Sequence, residues 1–350
     1  MAAMATENDK VFRKFSQAEI EEMKAIFEGG NLKVVAKKLQ KELETLEKIP
    51  LHIAITGEAG SGKSTFVNAI RGLGDEDAGA AETGVVETTM DPEPYSHPTL
   101  PNVTIWDLLG IGTPRFKPDQ YLKQMSFQKY NIIITASRFS AHHTQLTKEI
   151  QKLGKKCYYV CSKVDADLDA AEKCRPRTYN EEGILEEIRN TCNKNLKKAS
   201  GSSPWVFLIS SWKPAKYDFQ LLLKILEKEM DEHKREIFIL SLPNISAQIL
   251  KKKRAELERQ IWKEALVSGA ISAVPLPGLF CCCYNQAGGK CYCQAFGLDD
   301  DVLCSLTRQV GKPVEELKSE IKMVPTASSI NKEYVMSLLK SYALSFRHGS

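Results

Sequence analysis

The spacing of apolar residues changes along the chain and divides it into three parts. Between Ser16 and Glu47 apolar positions recur at helical spacing, with an interruption at Gly29-Gly30, which predicts two helices. From residue 50 to about 235, short apolar runs alternate with helical stretches, the pattern of a parallel sheet covered on both faces. After Pro243 the helical spacing returns. The sequence therefore predicts an α/β protein with helical parts at both ends.

These changes also set the predicted domain limits. Residues 1–14 are polar and are expected to be disordered. Residues 15–49 form an N-terminal helical part, residues 50–235 form the α/β domain, and residues 236–350 form a C-terminal helical part. A chain of 350 residues is long enough for two such domains.

Residues 57–64 carry the first candidate chemistry. They have the sequence Gly-Glu-Ala-Gly-Ser-Gly-Lys-Ser, a full match to the phosphate-binding P-loop pattern G-x-x-x-x-G-K-[ST]. An apolar run at 51–56 predicts a strand before the loop, and a helix is predicted from Thr65 onward. Glycines allow the backbone N–H groups to surround a phosphate beside the positive end of that helix. Lys63 would reach the β- and γ-phosphates, and Ser64 would hold Mg²⁺.

Two further motifs follow at predicted strand ends. Residues 101–106 predict a strand that ends in Asp107-Leu108-Leu109-Gly110, a D-x-x-G element whose carboxylate would contact Mg²⁺ through water. The N–H group of its glycine would contact the γ-phosphate. A strand at 157–161 precedes Ser162-Lys163-Val164-Asp165. Guanine presents two neighbouring N–H donor groups that one carboxylate can accept together, so Asp165 predicts selectivity for guanine.

Two more segments complete the predicted site. Ser210 follows a strand at 206–209, where its backbone would contact the base, although an ordinary serine at a strand end is an equal alternative. In the stretch 82–89, Thr89 would close on Mg²⁺ and the γ-phosphate, with Thr88 as the rival. The predicted magnesium ligands are Ser64, Thr89 and Asp107. The predicted nucleotide-binding residues are Gly57, Gly60, Ser61, Gly62, Lys63, Ser64, Thr65, Asp107, Gly110, Ser162, Lys163, Asp165 and Ser210.

These motifs, with the later runs Y-D-F and S-L-P-N-I-S, resemble the immunity-related (interferon-inducible) GTPases over roughly residues 20–310. Residues 273–279 and 296–301 are most similar to the cinema-type branch of that family. The resemblance implies a Ras-like GTPase domain set in a helical domain built from both termini. It also implies binding of GDP and GTP, slow hydrolysis, self-association through the GTPase faces, and defence against pathogens at intracellular membranes.

The chain departs from the family pattern at three places. Leu109 stands where the family usually has proline, and the strand at 131–136 is about two residues shorter than expected. The chain also ends near residue 350, so the C-terminal helical part is expected to be shortened. These departures bear on hydrolysis and membrane action more than on nucleotide binding.

Hydrolysis depends on residues beyond the binding motifs. Ile111 occupies the position where Ras-type enzymes use glutamine to orient the attacking water. The resemblance assigns Glu58 and Glu87 to contacts across a dimer of GTPase domains, so these two residues and Thr89 are the predicted catalytic set. The alternative for both glutamates is that they are simply exposed to solvent and have no catalytic role. A regulatory partner that binds nucleotide without hydrolysing it, and acts on other GTPases of its family, is the alternative function.

Composition narrows the possible partners and location. The net charge of +4 does not indicate a nucleic-acid partner, and no apolar run reaches the length of a membrane span. Neither a signal peptide nor N-myristoylation is expected, since no signal-peptide pattern is present and Ala2 stands where myristoylation requires glycine. The ten cysteines do not form a secreted disulfide pattern, so a cytoplasmic protein is expected.

Peripheral membrane contact is the remaining expectation. Cys281–Cys283 follow an apolar stretch and are candidate S-acylation sites, with a cysteine-rich loop or a zinc site as the alternatives. The basic run Lys251–Arg254 could add attraction to a membrane, whereas such a run is more often a solvated helix face.

Overall fold

The computed structural model describes residues 32–84, 92–111, 130–136, 141–200, 205–272 and 296. The chain divides into two compact units, one of residues 50–246 and one of residues 1–49 with 247–350. The first unit contains the sheet. Its limit at Ser246 lies beyond the predicted domain end at 235, a position that falls inside a helix, Glu232–Ser241.

Among its described residues, the sheet unit has six strands and six helices. The strands are β1 (Leu51–Glu58), β2 (Glu93–Ser96), β3 (Val103–Ile111), β4 (Tyr130–Thr135), β5 (Lys156–Cys161) and β6 (Val206–Leu208). In chain order over the described residues, helix α1 (Leu32–Lys48) comes before the sheet unit and helix α8 (Ala247–Ser272) comes after it. The helices of the sheet unit are α2 (Lys63–Arg71), α3 (Ala141–Lys152), α4 (Val164–Cys174), α5 (Glu181–Ser200), α6 (Phe219–Glu229) and α7 (Glu232–Ser241).

The strand order is β2-β3-β1-β4-β5-β6, and every neighbouring pair is parallel except β2 and β3. All six residues of β4 are buried, as expected for a central strand covered on both faces. Phe66 in α2 and Phe219 at the start of α6 pack against each other, with 5.6 Å between their ring centroids. The predicted α/β class, with a mostly parallel sheet, is confirmed.

One strand boundary was wrong. The strand expected to end before Asp107 continues as β3 through the whole D-x-x-G element to Ile111. Its pairing with β1 shifts between Ile55 and Gly57, so that Gly57 lies opposite Gly110 and Glu58 opposite Ile111. Leucine at position 109 keeps the backbone N–H that proline would lack, and the strand can therefore continue past it.

In the second unit, α1 and α8 pack against each other. Lys263 of α8 lies 3.4 Å from the carboxylate of Glu42 in α1. The basic run in α8 is not a uniformly solvated face, because Lys253 is only 4% exposed whereas Lys251 and Arg254 are exposed. Burial lowers the pKa of Lys253 to about 8.

Candidate functional site

The phosphate loop joins β1 to α2 through a backbone that needs glycine. A Cβ atom on Gly57 would lie 2.0 Å from the carbonyl oxygen of Ile134 in β4, so the two strands approach too closely for any side chain there. Gly62 has a φ of 83° directly before α2, the left-handed conformation that glycine adopts without strain. This backbone places the loop at the carboxyl end of the sheet and directs the N-terminus of α2 into it.

Lys63 and Ser64 begin α2 and connect the loop to its surroundings. The Lys63 ammonium donates to the Glu58 carbonyl at 3.1 Å, and the Lys63 residue is 7% exposed. The Ser64 hydroxyl donates to the Asp107 carboxylate at 2.7 Å, although the two residues are distant in sequence. The predicted P-loop and D-x-x-G ligands for Mg²⁺ therefore converge. A hydroxyl and a buried carboxylate are oxygen ligands of the kind that Mg²⁺ prefers.

The Ser162-Lys163-Val164-Asp165 motif contacts the phosphate loop directly. The Ser162 hydroxyl donates to the Ser61 carbonyl at 2.6 Å, and the Lys163 ammonium donates to the Gly60 carbonyl at 2.8 Å. Lys163 has a φ of 59°, an uncommon conformation for a residue with a side chain. The motif therefore supports the loop as well as leading to Asp165.

Asp165 lies in the first turn of α4 and is 7% exposed. Within the residues that the structure describes, no group donates a hydrogen bond to its carboxylate. Burial raises the pKa of the neighbouring Asp167 carboxyl, and the Asp165 charge raises it further. A ligand that supplies two neighbouring N–H groups would pair with both oxygens of this carboxylate.

The base loop, residues 209–218, follows β6 and contains the predicted Ser210. Ser210 is buried, and its hydroxyl accepts from the Lys213 backbone N–H at 3.2 Å. Asp218 closes the loop: its carboxylate accepts from the Leu208 N–H at 2.9 Å and from the Arg189 guanidinium at 2.7 Å. Arg189 also donates to the Val206 carbonyl at 2.8 Å. Sequence reasoning missed Arg189 and gave no role to Asp218, which it quoted only within the run Y-D-F, because neither residue belongs to a nucleotide-binding motif.

Glu58 contacts a residue that sequence reasoning also missed. Its carboxylate lies 3.5 Å from the Nδ1 atom of His143 in α3. His143 is fully buried, and burial lowers its pKa, whereas the nearby Glu58 charge and a backbone hydrogen bond with Ile134 act in the opposite direction. Neither of the adjacent histidines in the helix after β4 belongs to a nucleotide-binding motif, so the sequence carries no signal of this contact.

The remaining predicted residues divide into two groups. Thr65 is half-buried in the first turn of α2, and Ile111 is 2% exposed within the hydrophobic core. Glu87, Thr88, Thr89 and Cys281–Cys283 lie outside the described residues. The roles assigned to all predicted site residues stay predictions.

Among the helices of the described ranges, none combines the length and the apolar character needed to cross a bilayer.

Comparisons with known proteins match this sequence over most of its length. The model of the family described as Interferon-inducible GTPase (IIGP) matches residues 16–348. Interferon-inducible GTPase 5 of Rattus norvegicus is 43% identical over 92% of this chain and 71% of its own length. Interferon-gamma-inducible GTPase 10 of Mus musculus is 42% identical over 97% of this chain and 83% of its own length.

Among solved structures, Era in complex with MgGDPNP and a segment of 16S ribosomal RNA matches 53% of this chain and 58% of its own. Its sequence identity is 17% and its TM-score is 0.34, so the family assignment rests on the sequence matches. Since the family match extends over nearly the whole chain, this protein belongs to the interferon-inducible GTPase family.

Proposed function

We propose that this protein binds GDP and GTP with Mg²⁺ and hydrolyses GTP slowly, at a rate that increases when two GTPase domains associate. The observation that carries the proposal is the direct bonding of the phosphate loop to the base motif. Lys163 and Ser162 donate to the carbonyls of Gly60 and Ser61, while the neighbouring Asp165 carboxylate has no described donor. This junction would present a phosphate cradle and a guanine acceptor together.

Different residues would bind the phosphate end and the base end of the nucleotide. The loop N–H groups and Lys63 would bind the β- and γ-phosphates, and Asp165 would accept the two N–H groups of guanine. Ser64 and Asp107, whose oxygens lie 2.7 Å apart, would hold Mg²⁺ together with Thr89. The ion would neutralise charge that develops on the phosphates during transfer.

Slow, partner-dependent hydrolysis is proposed because of the residue that follows the D-x-x-G element. Ile111 is buried in the core as the last residue of β3, so it cannot orient a water molecule. Glu58 and Glu87 are proposed to act across a pair of GTPase domains, as the resemblance implies. The burial of Ile111 also favours the alternative, a regulatory nucleotide-binding partner that does not hydrolyse GTP.

One pair of measurements tests both parts of this proposal. Competition between GTP and ATP for the purified protein should show strong preference for GTP, and equal competition would contradict the role of Asp165. The rate of GTP hydrolysis per molecule should then rise with protein concentration. A measurable rate per molecule that stays constant over about a hundredfold range of protein concentration would indicate a self-sufficient active site. No turnover at any concentration, with intact binding, would support the regulatory alternative.

We also propose a cytoplasmic location with peripheral attachment to intracellular membranes, in the context of innate defence. Acylation of Cys281–Cys283 would supply one attachment signal, and stable attachment needs a second. Because Lys253 is buried, the exposed Lys251 and Arg254 are the stronger candidates for that electrostatic contribution. Fractionation of cells that express a variant with serine at all three cysteine positions tests this, because unchanged membrane association would exclude acylation there.

A further inference from the structure

We propose that His143 is a positioning residue that holds the Glu58 carboxylate on the α3 side of the phosphate loop, so that nucleotide affinity depends on this contact. The inference rests on the proposed nucleotide site. It concerns a residue that no nucleotide-binding motif includes.

The contact places a charge at a sensitive position. Glu58 is the second residue of the phosphate loop, directly after Gly57, and its side chain is 39% exposed. A carboxylate there is repelled by the phosphates of a bound nucleotide, because like charges a few ångströms apart oppose each other strongly at a protein surface. The direction in which the Glu58 side chain is held therefore affects binding of the nucleotide.

The environment of His143 suits it to hold this carboxylate. The imidazole is fully buried in α3, and its Nδ1 atom lies 3.5 Å from a Glu58 oxygen. A backbone hydrogen bond links it to Ile134 near the end of β4. The imidazole therefore lies between a strand end and the loop.

The same junction includes a close approach between two strands. The Ile134 carbonyl leaves no room for a Cβ atom on Gly57, and Gly57 directly precedes Glu58. His143, Ile134 and Gly57 are thus consecutive members of one packed cluster. Because the Lys63 ammonium donates to the Glu58 carbonyl at 3.1 Å, Glu58 is held at both its backbone and its side chain.

A double-mutant cycle tests the proposal through nucleotide affinity. Calorimetric dissociation constants for GDP and GTP would be measured for the parent, His143→Leu, Glu58→Gln and the double variant. We expect His143→Leu to weaken both nucleotides about threefold to tenfold, and to have no effect when position 58 is glutamine. His143→Gln, which keeps an N–H donor, should restore most of the affinity. His142→Ala, at the exposed neighbouring position, is the matched control and should bind as the parent does.

The outcomes separate this inference from the proposed function. A parent protein that binds neither nucleotide would refute the proposed function itself. A parent that binds, with an equal loss from His143→Leu in both backgrounds, would make His143 merely structural and overturn the inference. Unchanged affinity in His143→Leu would overturn it as well.

A second measurement remains decisive if the leucine and glutamine variants at position 143 do not fold. Glu58→Gln leaves the core intact and can be compared with the parent by NMR of the imidazole groups. With the carboxylate removed, the pKa of His143 should fall and its ring resonances should move, while those of His142 change little. His143 resonances that titrate identically in both proteins would exclude the contact.

Discussion

The phosphate loop and the base loop are both held firmly, but by different kinds of residue. In the phosphate loop the supporting bonds come from motif residues: Lys63, Ser162 and Lys163 each donate to a carbonyl of that loop. In the base loop the supporting bonds come from Asp218 and Arg189, which would not contact the nucleotide. The phosphate loop is organised mainly by its own binding residues, and the base loop mainly by residues outside the site.

This difference predicts how each loop responds to mutation. A change in the phosphate loop removes structure and binding together, because the same side chains serve both. A change at Asp218 or Arg189 should alter the base loop while leaving the phosphate contacts in place. The two loops can therefore be separated by experiment.

The largest effect is expected at Gly57. Gly57→Ala would place its Cβ atom 2.0 Å from the Ile134 carbonyl, a backbone clash that no rotamer relieves. We expect a loss of about 3 kcal/mol or more in the free energy of unfolding, together with loss of nucleotide binding. Urea unfolding measures the first and calorimetry the second.

Gly60→Ala is the matched control. Nothing lies within 4 Å of a Cβ atom there, so only the left-handed φ of 71° is strained. Its cost should be about 1–2 kcal/mol. Equal costs at the two positions would show that the contact with Ile134 is not the reason for glycine at position 57.

An intermediate effect is expected at Asp218. Asp218→Ala leaves the Leu208 N–H and the Arg189 guanidinium without their acceptor, which should cost about 2–3 kcal/mol of unfolding free energy. The preference for GTP over ATP should fall several-fold, because the base loop loses its closure. Competition binding measures this preference.

Glu181→Gln provides the comparison for Asp218. Its carboxylate lies 3.8 Å from Lys216 in an exposed pair, and such pairs contribute little to stability. Asp218→Ala with parental stability and parental base preference would mean that the loop is held by other contacts.

The smallest effect on stability is expected when the pH is lowered, and it arises at His143 beside the phosphate loop. Burial lowers the pKa of His143 below its ordinary value of about 6.5, so the unfolded chain binds more protons than the folded one. The stability that depends on His143 staying neutral is present above about pH 6.5 and is lost as the pH falls below that value. Urea midpoints at descending pH should therefore fall more in the parent than in His143→Gln. Parallel pH profiles would contradict this assignment.

The same contrast explains how much could be predicted from the sequence. The P-loop pattern predicted the strand, loop and helix around Lys63, because each residue in it has a local conformational or chemical role. The predicted end of β3 was wrong, because a leucine at position 109 lets the strand continue where a proline would stop it. The roles of Arg189, Asp218 and His143 were missed, since their partners lie on other elements and depend on how the sheet assembles.

The base acceptor allows the most direct test of the central claim, that Asp165 and the phosphate loop form one guanine-nucleotide site. Asp165→Asn replaces one acceptor oxygen with an N–H donor, which mismatches guanine but matches xanthine, whose C2 carries an oxygen. Calorimetric titration of the parent and Asp165→Asn with GTP and xanthosine triphosphate is the measurement. The account predicts that GTP affinity falls at least about tenfold while affinity for xanthosine triphosphate rises. Unchanged GTP affinity in Asp165→Asn would contradict it.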